Sequence, residues 1–464
     1  MTARTAPTIA ELPPRRARAT PAGPTREKLE LPLRIVTPVL GGAAVPRTID
    51  EVDVVRVPSI RGQLRFWWRA LHAHLHPTPR ALHEAESALF GRAADEGGGR
   101  SAVDVRISGV TAGSVDRTEV RLYGAQATPG AYAVFPARAE AGGTPTAPRR
   151  LPGTRFTLEL LAPTDRLEEL QHVVRAWILF GGYGSRTRRG LGSLTVEGAE
   201  RSRWLPNEAT CAEFTRLFGR DPFAAAGPPS ETPRLAGASL LVGEPVAQAE
   251  QAWTTALHWL RDFRQGTKTG ARESGEGKPE PARPSISNWP EADKIRHLTG
   301  KTRSHPPRHG PDPAWPRAAF GLPIVGQFQT AARGGGRYDE PGPFELTWKD
   351  GDGLHNRLAS PLIVKAMPLA TGKFVPIALW LERAWPEGGE VFLKTASKLH
   401  GDPAAPFDKL LGKGDRAYFP PLDRGGPALE PCDGVFRRDG SPTIPLSSGA
   451  NANLPPAKVR IFLK

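Results

Sequence analysis

Cysteine is almost missing from this chain. Two residues in 464, Cys211 and Cys432, exclude a disulfide scaffold and a Cys-rich zinc site and point to a reducing compartment. No apolar run approaches the ~18 residues that a membrane span needs, and no stretch has the build of a secretory signal. A cytoplasmic protein without membrane contact is therefore expected. Lysine is scarce as well: of 62 basic residues 48 are Arg and 14 are Lys, and none of the Lys lies between Lys28 and Lys268. An apolar content of 39% is thin but enough for a core, and the length suggests more than one domain.

What is abundant is arginine, glycine and proline. The formal net charge is +14, against 48 acidic residues. The excess is spread along the chain: residues 1–235 carry 32 basic and 24 acidic side chains, and residues 236–464 carry 30 and 24. Such a balance suits a polyanionic partner and equally suits GC-rich coding, so composition alone does not choose between them.

Residues 1–28 are rich in Pro and basic residues and lack apolar periodicity, which predicts a disordered basic arm. From Leu29 the alternation Leu29, Leu31, Leu33, Ile35 predicts a half-buried strand ended by Thr37-Pro38 and Gly41-Gly42. A helix is expected from Ser59 to about His76, and strands at Val103–Gly109 and Arg155–Leu161. A second helix over Asp165–Phe180 and a strand at Leu191–Val196 follow. This order, β-α-β-β-α-β, is ferredoxin-like (RRM-like). The first domain then covers 29–221, with a Pro/Gly-rich linker at 222–235. A second such unit is expected over 236–464. It has a strand at Ala238–Val242, a helix at Val246–Phe263 and a polar insertion at about 265–316. Strands at Leu322–Gln329, Pro361–Met367 and Phe374–Leu381, a helix around Glu390–Leu399 and a strand at Val459–Leu463 complete it. The fold class is thus α+β, two ferredoxin-like domains with loop insertions.

Two segments carry the chemistry. In Ser59–Leu71, Ile60, Leu64, Trp67, Leu71 and Leu75 fall on one stripe at 100° per residue. Arg61, Arg65 and Arg69 form a ridge on its flank. Ser59 is expected as the N-cap of an anion-favouring first turn. Gly62 costs helicity, roughly 1 kcal/mol against Ala, which makes sense where another backbone approaches. Phe66, expected exposed, and Trp68 beside Arg61 are candidate base-stacking platforms. The second segment, FGGYGSRTRRGLGSL from Phe180 to Leu194, combines Gly181, Gly182, Gly184 and Ser185 with Arg186, Arg188 and Arg189. Its glycines leave N–H groups to present to oxygen-rich ligands. It is no dinucleotide fingerprint, because Thr187 stands where a third Gly is needed and the loop leaves a helix.

With these segments the chain resembles the RAMP superfamily, RNA-binding proteins of CRISPR systems, and within it the first subunit of type III-B Cmr effector complexes. The resemblance runs through Thr37-Pro38 and Gly41-Gly42, PSIRGQLRFWWRAL from Pro58, ESALFG (Glu86 to Gly91) and the glycine loop. It continues in RPSISNWPEADKIR (Arg283 to Arg296), PRAAFGLPIVGQF (Pro316 to Phe328) and RLASPLIVKAMPL (Arg357 to Leu369). It implies two RAMP domains in a guide-RNA complex, with cleavage left to other subunits. The implied partners are CRISPR guide RNA, held by its 3′ part, single-stranded target RNA, a RAMP backbone subunit and a second RAMP subunit. Trp289, Arg296 and Lys301 are expected on the matching surface of the second domain.

Rival chemistries are weaker. His72, His74 and His76, with His83, Glu84 and Glu86 behind, could bind a metal. No carboxylate is interleaved with the run, and Ser87 stands where an HExxH motif needs its second histidine. The cluster His297, Lys301, His305 and His309 would suit the alternative, a RAMP endoribonuclease that processes CRISPR RNA without a metal. Pro306, Pro307 and Pro311 mark that segment as a loop. Gly300-Lys301-Thr302 lacks the first glycine of a phosphate loop, Ile295 standing in its place. No catalytic residue, metal or cofactor is assigned.

Overall fold

The computed structural model describes residues 25–93, 97–122, 126–140, 142–224, 226–228, 230–265, 291–303, 318, 320–328, 339–355, 357–384, 386, 388–395, 399–406 and 435–436. The expected strand begins at Arg26, three residues earlier than the alternation suggested, and forms β1 (Arg26–Ile35). Helices α1 (Val57–His72) and α2 (Pro79–Phe90) follow, then β2 (Asp104–Thr111), β3 (Arg155–Pro163), α3 (Leu167–Phe180) and β4 (Leu194–Val196). The sheet order β2-β3-β1-β4, antiparallel throughout, is the ferredoxin-like arrangement. Leu29, Leu31, Leu33 and Ile35 all point inward, as alternation requires.

After helix α4 (Cys211–Phe218) the second unit opens with β5 (Arg234–Val242) and α5 (Ala249–Gln265). The Pro/Gly-rich stretch before it is anchored: Phe223 is buried against Phe180 and Phe214 at ring separations of 5.8 and 5.5 Å. The segment between α5 and the next strand of this sheet carries α6 (Glu291–Thr299), β6 (Ile324–Gly326), β7 (Phe344–Asp350) and β8 (Gly353–His355). Strands β9 (Leu362–Pro368) and β10 (Phe374–Glu382) return to the main sheet. Beyond them lie β11 (Glu390–Thr395), β12 (Leu399–Pro406) and β13 (Val435–Phe436). The order β9-β10-β5-β13 repeats the first sheet, but β13 runs parallel to β5 where the pattern has an antiparallel strand.

Three expectations for this half need correction. Residues 390–395 form a strand, not a helix, because the run Val391-Phe392-Leu393 after Gly388-Gly389 is buried against β7. Ile324–Gly326 joins that same third sheet instead of the ferredoxin-like one. The insertion contains a helix, α6, with Ile295 fully buried. Val459–Leu463 lies outside the described residues.

The two units share one core. Helices α1 and α3 lie between the first sheet and the inner face of the second, and α5 covers the second sheet's other face. Consequently β9 is buried along its whole length, and every residue of α3 from Val173 to Phe180 is buried. A helix enclosed in this way must satisfy its last carbonyls inside the protein. Lys365 of β9 does so, its Nζ donating to the carbonyls of Ile178 and Gly181 at 2.7 Å each. Burial pushes its pKa well down, while the negative end of the helix favours the ammonium.

Lys365→Ala should leave two buried carbonyls without their donor and a void behind. A loss of about 2–4 kcal/mol in urea unfolding is expected, with Lys365→Met, which keeps the volume, losing less. A loss below about 0.5 kcal/mol would show that water replaces the ammonium.

Candidate functional site

Helix α1 starts two residues before Ser59, with Arg56 as N-cap, so Ser59 lies inside the first turn and does not cap it. Pro58 suits that turn because its missing N–H has no helical acceptor there. Ile60, Leu64, Trp67 and Leu71 are buried as the stripe requires, whereas Leu75 is exposed because the chain tightens into a 3-10 turn over Ala73–Leu75. Trp68 is buried too. Its indole donates to a Glu169 carboxylate oxygen and its ring stacks on His72 at 4.7 Å. It is therefore a core residue, and the expectation of a Trp68 stacking platform is corrected.

The arginine ridge faces α2. Arg61 donates to the carbonyl of Phe90 at 2.7 Å, and Arg65 and Arg69 both reach Oε1 of Glu86 at 2.6 Å. Glu86 is 2% exposed, while Arg65 and Arg69 are 31% and 36% exposed. One buried carboxylate thus orients two guanidinium groups and neutralises one, and the outer edges of both remain open to solvent. Beside them Gly62 is exposed, and a Cβ built on it meets nothing within 4 Å. Phe66, one turn on, is half-buried, not exposed. It packs edge-on against Trp67 at 5.2 Å, and the Arg188 guanidinium lies 5.5 Å from its ring centre. Burial lowers the pKa of Arg188. The result is a strip in which Gly62 is flanked by Arg65, Arg69, Phe66 and Arg188.

The glycine loop is folded on itself more than the sequence suggested. Tyr183 N–H donates to Gly192, Ser185 N–H to Leu40 and Gly192 N–H to Pro38, so these amides are spent internally. Gly192 has φ +66°, and a side chain there would overlap the Tyr183 carbonyl. Gly190 has φ +76°, and a Cβ would run into Trp253 of α5, whose indole donates to the Arg189 carbonyl at 2.7 Å. Gly181 and Gly182 are buried and Gly184 is half-buried against Val39. Gly190 serves packing between the two units, and the other glycines let the loop close against its own unit. Ser185 is exposed, its hydroxyl donating to Leu40, and Arg186 is exposed and donates to the Ala133 carbonyl at 3.2 Å. Arg189 is half-buried and approaches the Leu362 carbonyl at 3.5 Å.

In the second unit Arg296 is buried, paired with Asp293 at 2.9 Å and Glu340 at 2.8 Å, and stacked over Phe328. It stabilises the insertion and does not face a ligand, which corrects its expected role. Lys301 is half-buried and paired with Asp339. Trp289, His305 and His309 lie outside the described residues. His297 sits on α6, in a helix where a loop was expected.

Arg383, at the end of β10, was missed by sequence reasoning. Burial and the nearby Arg188 charge lower its pKa to about 10. Nothing in the local pattern of its segment marks it, because its neighbour Arg188 is brought to it by the packing of the two units. Glu86 could have been found, since it lies in the ESALFG motif one helix after the ridge.

Residues 32–195 match the family model of the RAMP superfamily. Over 170 residues the chain is 28% identical to the CRISPR system Cmr subunit Cmr1-1 of Pyrococcus furiosus. The match takes 36% of this chain and 47% of that protein, so the chain spans about half the length of the curated relative it matches. Among solved structures it is similar to apo Cmr1 from Pyrococcus furiosus, with TM-score 0.45 and 18% identity over 78% of this chain and 90% of that one. A chain of a type III-B Cmr-beta complex bound to cognate target RNA gives 0.38 and 12%, over 77% and 96%. The matched segment contains the end of β1, α1, α3 and the glycine loop, and so holds the whole strip on the first unit.

The histidine run does not gather a metal site: among the described residues no three His, Cys, Asp or Glu side chains are placed to hold an ion. Nor is any helix among them long and apolar enough to cross a membrane. Burial, then the Arg220 charge, pulls His74 down to about 4, and burial also lowers His72 and His172. In the folded state these rings stay neutral below pH 6.5, while the unfolded chain takes up protons. Their stabilising contribution is present above pH 6.5 and is lost as pH falls. The urea midpoint should drop between pH 6.5 and 5, and His74→Gln should flatten that drop. An identical slope in the variant would remove His74 from the account.

Proposed function

We propose that this protein is a non-catalytic RNA-binding subunit of a type III-B CRISPR Cmr complex. In this reading it holds the 3′ part of the guide RNA region and helps capture single-stranded target RNA. Its neighbours are the RAMP backbone subunit and a second RAMP subunit, and the complex works in the cytoplasm. The RAMP match and the likeness to a Cmr subunit support the setting.

The observation that carries the RNA-binding part is Gly62. A glycine inside an exposed helical turn costs about 1 kcal/mol against Ala, and among the described residues no atom comes near enough to need the space. The space suits a backbone from another molecule. Arg65 and Arg69, pre-oriented by Glu86, and Arg188 over Phe66 border it. Planar guanidinium groups with fixed orientation suit phosphate oxygens, and such contacts position RNA without reading sequence. The outer face of the first sheet is a poorer candidate. Its outward residues, such as Lys28, Glu30, Arg34, Arg106 and Glu159, include ion pairs and offer no aromatic ring for stacking.

Gly62→Ala separates function from fold. It should raise thermal stability, by up to about 1 kcal/mol, yet weaken binding of single-stranded RNA. Arg65→Ala with Arg69→Ala should weaken RNA binding and lower its salt dependence by about one to two counterions. Unchanged affinity in both variants, with the fold intact, would remove the strip from the RNA path.

A further inference from the structure

At the other end of α1, about ten residues or ~15 Å along the helix axis from Gly62, the histidine run borders a cavity of about 190 Å³. It lies between the end of α1, α3, the 218–226 segment and β5. His72, His74, His172, Arg220, Asp221 and Phe218 line it, the rest being apolar. Nδ1 of His74 and Oδ2 of Asp221 are buried from water, with no hydrogen-bond partner among the described residues. A buried polar atom left in this way is costly, and two such atoms on residues that line one cavity point to a missing occupant.

The lining narrows the occupant. A metal ion is disfavoured by Arg220 and by the lack of three converging ligands among the described residues. A simple anion such as phosphate would face Asp221 and leave Phe218 unmatched. A hydrocarbon would strand His74 and Asp221. What fits is a flat body against Phe218 and His172, whose rings lie 5.8 Å apart at 43°. It needs an edge carrying both donor and acceptor groups for Asp221 and His74. It also needs one negative charge for Arg220, a lining residue that is itself exposed. The neutral state of His74 and His172 keeps both ring nitrogens available, one donating and one accepting.

We infer that this cavity is a binding site for one nucleoside monophosphate unit, either a free nucleotide or a nucleotide turned out of an RNA strand. It is separate from the Gly62 strip and does not depend on it.

The test titrates the full-length protein, with its histidines isotopically labelled, against 5′-AMP, adenosine, inorganic phosphate and an RNA trinucleotide. AMP should shift the His74 and His172 ring signals with one-to-one stoichiometry. Arg220→Ala, a surface change with little risk to the fold, should weaken AMP tenfold or more and leave adenosine unchanged. Asp221→Asn should weaken AMP and adenosine alike. Arg65→Ala with Arg69→Ala should leave AMP binding intact, which separates this site from the strip. A trinucleotide that displaces AMP identifies the strand as the source of the unit, and one that does not identifies free nucleotide. The inference is overturned if millimolar AMP moves neither ring, if phosphate alone reproduces the AMP shifts, or if Arg220→Ala leaves AMP affinity unchanged.

Discussion

A helix whose last eight residues have no face toward water governs this structure. Once α3 is enclosed between two sheets, its side chains gain the burial of a double-sided core, but its terminal carbonyls lose access to solvent. The chain meets that constraint with an ammonium delivered from the other unit, Lys365 on β9. The cost of burying a cation is offset by two carbonyl bonds and by the negative end of the helix dipole. Because donor and acceptors belong to different units, the halves are not beads on a string. They are one packed body with a shared helical layer.

That layer decides what α1 can offer a ligand. Lying beside α3, α1 turns its stripe inward and extends it to Trp68, so the polar flank with Arg65, Arg69 and Gly62 is what remains for solvent. The flank is not left loose. Glu86 draws two guanidinium groups to one oxygen, which lowers the entropy that two long side chains would otherwise lose on gripping a phosphate. Lysine, a compact and strongly hydrated charge, would not be held in a plane in this way. The long lysine-free stretch of the chain therefore coincides with a domain whose candidate grip relies on planar cations.

The first unit was legible in the sequence because its signals are local. Alternation placed Leu29 to Ile35 correctly, and the 3.6-residue period placed Ile60, Leu64, Trp67 and Leu71. The stripe alone leaves Trp68 and Phe66 outside the core, whereas packing on both sides of α1 buries a wider arc that takes in Trp68 and half of Phe66. The glycine loop misled for a related reason. Its residues were read as a ligand cradle, but Gly190 answers to Trp253, which lies 63 positions away in the chain, and no pattern inside the loop announces that. In the second unit, Val391-Phe392-Leu393 was too short a run for periodicity to separate strand from helix. Arg296 looked like a surface charge because its partner Glu340 comes from a distant segment.

The indole of Trp253 has one more implication. By donating to the Arg189 carbonyl, and by filling the space over Gly190, it holds the arginine loop of the first unit from a helix of the second. The turn at Arg189-Gly190 therefore gains this brace only after both units have formed and docked. A chain still emerging from synthesis, or cut after the first unit, would keep Arg65 and Arg69 on Glu86 and yet lack the brace on the loop that carries Arg188 and Arg189. Completion of the fold is in this sense a checkpoint for the loop, and a polyanion that needs the loop and the helix flank together would meet both in place only on the finished molecule.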